Sequence, residues 1–257
     1  MIPFNKPFLT GKEAHYMYQA VYTGKLSGNG DFTKKCQNFF EAKYGFKKAL
    51  LTTSCTDALE MCAILCDVQP GDEVIVPGYT YIATAIAVTA VGAIPVIADI
   101  DESLTLDPKD VERKISKYTK AIIPVHMQGI PSNMDAIMEI AKKHNLKVIY
   151  DAAHVFGVEY KGMGIGEFGD ASMFSFHATK VFNTIEGGAI ATANAELASK
   201  LRLERNFGIT GPEDVVSAGG NAKMNEFQAA MGLCNLRHIE DNHNQRERVI
   251  RKYLEEL

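Results

Sequence analysis

Apolar residues recur along this chain in two rhythms. Short runs rich in β-branched residues, at 49–53, 73–76, 94–97, 120–125, 147–150, 171–176 and 188–193, read as strands. Between them apolar positions fall three and four apart, the spacing of a helix with one buried stripe. Residues 12–23, with Tyr16, Met17, Ala20 and Val21 on one face, are the first such segment, followed by 31–44, 57–66, a helix ending at Val91, 132–145 with Ile137, Ile140 and Ala141 facing inward, and 195–206. Asp31 is expected as an N-cap with Gly45 just past that helix's end, and Asp107 caps another helix whose first residue is Pro108. Residues 223–257 are helical throughout, as one long helix or a broken pair, whereas 24–30, 157–170 and 207–220 are loops. This alternation predicts an α/β fold: a mostly parallel central sheet with helices on both faces.

Composition narrows the classes without choosing one. A length of 257 residues suits one large α/β domain, and 46% hydrophobic with 23% charged residues is the balance of a globular chain. The net charge of −4 gives no basic footprint for nucleic acid. The longest apolar stretch, 79–100, is interrupted by Gly92 and Pro95, so no membrane span is expected. The N-terminus lacks the shape of a signal peptide, and the five cysteines (Cys36, Cys55, Cys62, Cys66, Cys234) show no paired metal spacing. Reduced thiols and a cytoplasmic location are the expectation, with no metal site.

Ligands of open α/β sheets sit beyond the carboxyl ends of the strands. Four candidates fall there: Ser54-Cys55-Thr56 before a helix, Tyr79-Thr80-Tyr81, the run Asp151 to His154, and a loop carrying Lys180 in an otherwise uncharged neighbourhood before Gly187-Gly188. Separately each has an ordinary explanation: Ser54 or Thr56 as a cap, Asp151 likewise, His154 and Tyr81 as core, Lys180 as a solvated side chain, the glycines as a turn. Together they match the needs of pyridoxal 5'-phosphate (PLP). That cofactor needs an amine (Lys180), an acid for its ring nitrogen (Asp151), a phosphate cradle (the helix start at 54–57, with Ser175) and a wall for one ring face (Tyr81). No Gly-x-Ser-x-Gly elbow, phosphate-loop signature or zinc helix motif competes with this reading, and Lys161 to Gly166 imitates a dinucleotide fingerprint without the strand-to-helix step it requires.

The runs Thr53-Ser54-Cys55-Thr56-Asp57-Ala58-Leu59, Gln69-Pro70-Gly71-Asp72-Glu73-Val74-Ile75-Val76-Pro77, Val125-His126-Met127-Gln128-Gly129, Tyr150-Asp151-Ala152-Ala153-His154, Ser175-Phe176-His177-Ala178-Thr179-Lys180 and Asn221 to Ala230 resemble the DegT/DnrJ/EryC1/StrS group of fold-type I PLP-dependent sugar aminotransferases, across essentially the whole chain. The resemblance implies that Lys180 is the covalent and proton-carrying lysine, that Asp151 pairs with the ring nitrogen, and that His154, in place of the glutamine of many members, contacts the ring's 3-hydroxyl region. It further implies that Tyr81 stacks on the ring, that Cys55, Thr56 and Ser175 hold the phosphate, and that Asn221 reaches the phosphate of a neighbouring subunit in a homodimer. The implied reaction moves an amino group from glutamate to a nucleotide-linked keto-deoxy sugar, expected to be a dTDP-4-keto-6-deoxyhexose, in deoxyamino-sugar synthesis for surface polysaccharide. Amination at C3, or a PLP-fold remnant with a binding role, is the alternative. Retention of Lys180 argues against the dehydratases of the group, which carry histidine there. The implied domain plan is an extension at 1–11, a PLP-binding large domain at 12–222, and a helix at 223–257 leading to a small domain absent from this chain.

Overall fold

The computed structural model describes residues 1, 3 and 5–257; Ile2 and Phe4, within the extension expected at 1–11, lie outside the described residues. Two helices open the chain, α1 (Glu13–Tyr22) and α2 (Asp31–Tyr44). Strands and helices then alternate: β1 (Ala49–Thr52), α3 (Cys55–Leu65), β2 (Glu73–Pro77), α4 (Ala83–Ala90), β3 (Ile94–Ala98), α5 (Pro108–Lys114), β4 (Thr119–Ile122), α6 (Met134–His144) and β5 (Lys147–Asp151). A small hairpin, β6 (Glu159–Tyr160) and β7 (Met163–Gly164), precedes β8 (Ala171–Ser175), β9 (Gly188–Ala191) and α7 (Ala195–Glu204). Two further helices, α8 (Glu226–Leu236) and α9 (Ile239–Glu256), follow.

Seven strands form one sheet in the order β1-β9-β8-β5-β4-β2-β3. Every pairing from β8 to β3 is parallel, and β9 runs antiparallel to both β1 and β8. Side chains alternate between two cores, as the pleat requires. Leu51, Ile75, Tyr150 and Phe174 meet α2, α6 and α8, while Leu50, Val74, Ile149 and Met173 meet α3 and α7 on the other face. The expected mostly parallel sheet with helices on both faces is the observed one. β5 is the central strand of the seven, and the ends of β2, β5 and β8 surround the site described below.

The start of α2 differs from expectation. Asp31 is the first helical residue, and the N-cap is Gly30, which has no side chain to accept a bond. The accepting oxygens come from Glu226, fully buried at the head of α8, whose carboxylate takes the N–H groups of Gly30 (3.1 Å), Phe32 (2.8 Å) and Thr33 (3.2 Å) and the Thr33 hydroxyl. A negative group belongs at a helix N-terminus, and this one arrives from far along the chain. The carboxylate fills the space a Cβ at residue 30 would need, so glycine is required there.

Two other regions are sharpened. Residues 223–257 contain a broken pair of helices, parted at Arg237-His238, and α8 with the start of α9 buries Met224, Ala229, Ala230, Cys234, Leu236 and Ile239 in the same core as α2 and the sheet. The loop expected to be irregular at 157–170 contains the β6–β7 hairpin, whose turn residues Lys161 and Gly162 both have positive φ, the geometry that suits a tight hairpin.

Candidate active site

A cavity of about 720 Å³ opens at the carboxyl ends of the strands and is lined by Cys55, Thr56, Tyr81, Asp151, His154, Ser175 and Lys180 together. Seven of the eight residues singled out in the sequence thus converge on one space. Asn221 does not: it is exposed, bridges Asn206, and its Oδ1 accepts from Lys223 Nζ at 3.0 Å.

Asp151 ends β5 at the cavity floor. Its Oδ1 accepts from the Ala153 N–H (3.1 Å) and its Oδ2 from the Thr84 hydroxyl (2.9 Å), which in turn meets the Thr80 hydroxyl at 2.9 Å. Burial pushes the carboxyl pKa up, against the pull of those two hydrogen bonds and of His154 and Lys180. No cation pairs with this carboxylate among the described residues. A buried acid with spare lone pairs and no counter-charge demands a cationic N–H donor.

Lys180 is carried by the loop between β8 and β9. Phe176 and Phe182 flank it and drive into the core, where Phe182 stacks on Phe156 (4.7 Å between centroids) and packs edge-on to Phe176 (4.7 Å). Three side-chain amides then hold the loop's carbonyls: Gln228 Nε2 donates to Glu186 O, Asn235 Nδ2 to Asn183 O, and Asn242 Nδ2 to Val181 O, each at 2.9 Å. These amides sit seven residues apart on α8 and α9, so they share one side of the helix pair. Gly232, between two of them, lets α8 approach Thr184, whose Cγ2 would lie 2.8 Å from a Cβ there. The Lys180 amine is half-buried and forms no hydrogen bond or ion pair among the described residues. Desolvation lowers its pKa, with Asp151 and Cys55 opposing. A larger neutral fraction makes the amine a better nucleophile and proton acceptor.

Helix α3 points its N-terminus at the same space. Ser54 is its N-cap, accepting from Asp57 N at 3.0 Å. That capping leaves the N–H groups of Cys55 and Thr56 without a protein acceptor among the described residues, so the cap and an anion cradle coexist. β9 passes close by at Gly188, where a Cβ would stand 2.7 Å from the Cys55 nitrogen. Ser175, buried at the end of β8, adds a hydroxyl to the cradle. Burial holds the Cys55 thiol well above the usual range, so it acts as a neutral wall.

His154 has a defined tautomer. The Gln128 N–H donates to its Nδ1 at 3.2 Å; a donor there leaves the ring proton on Nε2. Gln128 reaches this position in a left-handed conformation, φ 51°, with Gly129 following at φ 91°. Burial and the neighbouring Lys180 lower the His154 pKa, keeping the imidazole neutral. Tyr81 stands at the cavity mouth, 75% exposed. Thr84, Gln128 and the three loop-holding amides were not singled out from the sequence. Thr84 looks like one more position of an apolar helix, whereas the seven-residue amide spacing was a readable signal.

A lysine, an unpaired buried carboxylate and an open helix N-terminus at the ends of parallel strands define the site of an α/β enzyme built around a phosphorylated, ring-nitrogen cofactor, and the donor set fits PLP. Comparison with known proteins agrees. Residues 8–257 match the DegT/DnrJ/EryC1/StrS aminotransferase family. The chain is 39% identical over 254 residues to GDP-perosamine synthase of Caulobacter vibrioides, which covers 98% of this chain and 68% of that protein. It is 39% identical over 229 residues to dTDP-3-amino-3,6-dideoxy-α-D-galactopyranose transaminase of Aneurinibacillus thermoaerophilus, 88% of this chain and 62% of that protein. Spr1654 from Streptococcus pneumoniae in its PLP form superposes with a TM-score of 0.92 at 31% identity, over 98% of this chain and 70% of that one. The chain belongs to the DegT/DnrJ/EryC1/StrS family, and so to the PLP-dependent nucleotide-sugar aminotransferases.

Proposed function

We propose that this chain transfers an amino group from glutamate to the C4 ketone of a dTDP-linked 4-keto-6-deoxyhexose, as a cytoplasmic homodimer supplying deoxyamino sugar for surface polysaccharide. The observation that carries the catalytic part is the convergence of Lys180, Asp151 and the α3 N-terminus on one cavity. Pyridoxal phosphate, when bound, supplies the electron sink that makes the Cα proton of an amino donor labile. Lys180 would hold it covalently through Nζ, and the same amine would serve as the acceptor and donor of the proton that is moved. Asp151 would hold the ring nitrogen protonated, and that cationic partner would favour the carboxylate against the burial that raises its pKa. The N–H groups of Cys55 and Thr56, with the Ser175 hydroxyl, would bind the phosphate. His154 would present its Nε2–H to the ring oxygen, and Tyr81 would cover one ring face.

The homodimer rests on the family resemblance, by which Asn221, exposed and outside its own chain's cavity lining, would reach a neighbouring subunit's site. In mixed dimers of Lys180→Ala and Asn221→Ala chains, one site regains both residues, so activity above that of either variant alone is the expected outcome; none above baseline excludes a shared site. The primary test is spectroscopic. Added PLP should give the absorbance of a lysine-bound cofactor that glutamate bleaches, and Lys180→Ala should give neither signal. Identical spectra for wild type and Lys180→Ala would sink the reading.

Amination at C3 is the second reading, favoured by the 39% identity to a transaminase named for a 3-amino sugar. The GDP-linked sugar of the Caulobacter relative, at the same identity, places GDP beside dTDP in the substrate panel. Product analysis over dTDP-, GDP- and UDP-keto sugars distinguishes these.

A further inference from the structure

Past His154 the main cavity adjoins a second hollow of about 340 Å³. Lys180, Thr179, His154, Gln128 and Arg246 of α9 are among its walls, and no aspartate or glutamate lines it. Arg246 is held in place. Its Nε donates to Asn242 Oδ1 at 2.9 Å, and the buried Asn242 donates through Nδ2 to the carbonyl of Val181, the residue after Lys180. That leaves the two terminal nitrogens of the guanidinium, with four N–H groups, uncommitted among the described residues. The neighbouring acids of α9 are engaged elsewhere: Glu247 with Arg251, Glu240 with Lys43. A guanidinium and no carboxylate around one hollow favour an anion, and a guanidinium fork matches carboxylate or phosphate oxygens two at a time.

We propose that Arg246 is the specificity-determining residue of an anion subsite beside Lys180, receiving the acidic group of a reactant while the amine or ketone end meets the cofactor. This rests on the aminotransferase reading above. The shared chemistry is a paired oxyanion, which comes either from the side-chain carboxylate of a dicarboxylic amino donor or from the diphosphate of a nucleotide-linked sugar. Asn242 gives the subsite a direct line to the lysine loop, because the amide that aims Arg246 also holds Val181.

The test is calorimetric titration of the full chain, with and without PLP, using glutarate and dTDP as probes. Arg246→Gln should weaken binding of at least one probe by about tenfold or more, with Arg246→Lys recovering part of the loss. The absorbance of the loaded cofactor should be unchanged in both variants. Weakened glutarate alone assigns the subsite to the amino donor, weakened dTDP alone to the sugar nucleotide, and loss of both to successive use by each. Equal behaviour of wild type and Arg246→Gln towards both probes, absence of binding included, overturns the proposal. Failure of the wild-type chain to take up PLP would instead overturn the reading of the main site, and the titrations without cofactor would still decide Arg246.

Discussion

His126 and Asp151 lie on adjoining strand ends and show how burial is handled differently for two titratable groups. His126 is fully buried, stacked on Tyr150 at 4.9 Å, and its Nδ1 accepts from Ser132 N at 3.0 Å. Burial lowers its pKa to about 3. The unfolded chain therefore takes up this proton first as the pH falls. The stability contributed by the neutral ring is complete above pH ~6.5 and is lost on descending towards pH 3, with a slope of up to about 1.4 kcal/mol per pH unit. Urea unfolding of His126→Gln, which keeps an acceptor for Ser132 but cannot titrate, should show a shallower fall between pH 6 and pH 4 than wild type. At Asp151 burial raises the carboxyl pKa and two hydrogen bonds oppose it, and Asp151→Asn should lower the rate of glutamate-driven bleaching by at least about a hundredfold while the fold survives, measured by stopped-flow absorbance beside circular dichroism. Loss of that rate without loss of bound PLP identifies an electronic role. Asp151, Lys180 and His154, which the structure brings to one cavity, stand out in the sequence because few residue types suit the chemistry expected of them. Thr84 does not, because its hydroxyl matters only once α4 lies against the end of β5.

Strands and helices fell close to their expected positions wherever periodicity and turn residues agreed, as at Asp107-Pro108 and at Gly45, whose φ of 70° ends α2. The exception at the head of α2 has a physical cause: its capping group lies 193 to 196 positions away in sequence, beyond any local signal. Glu226→Ala strips the acceptor from three backbone N–H groups and should destabilise the protein by about 3 kcal/mol or more, with Glu226→Gln intermediate, measured by urea denaturation. Asn235→Ala leaves the buried carbonyl of Asn183 without a donor, at a cost of about 1–3 kcal/mol. It should also loosen the loop that presents Lys180, seen as faster amide exchange at residues 181–186.

At the scale of the molecule, α8 and α9 act on parts of the chain made long before them. α8 lies on α1 and α2, the pair completes one of the two cores, and both bond to the lysine loop across separations of 42 to 61 residues. A fragment ending at residue 222 should accordingly lose the cooperative urea transition of the full chain even though it contains every strand. The amide clasp also has a timing. At a synthesis rate of about 5–20 residues per second, Lys180 leaves the ribosome roughly 3–12 seconds before Asn242. Through that interval the nascent loop has its lysine but not the residues that fix its carbonyls. The loop around Lys180 is clasped only after α9 has emerged, so its conformation is fixed later than the strands that flank it.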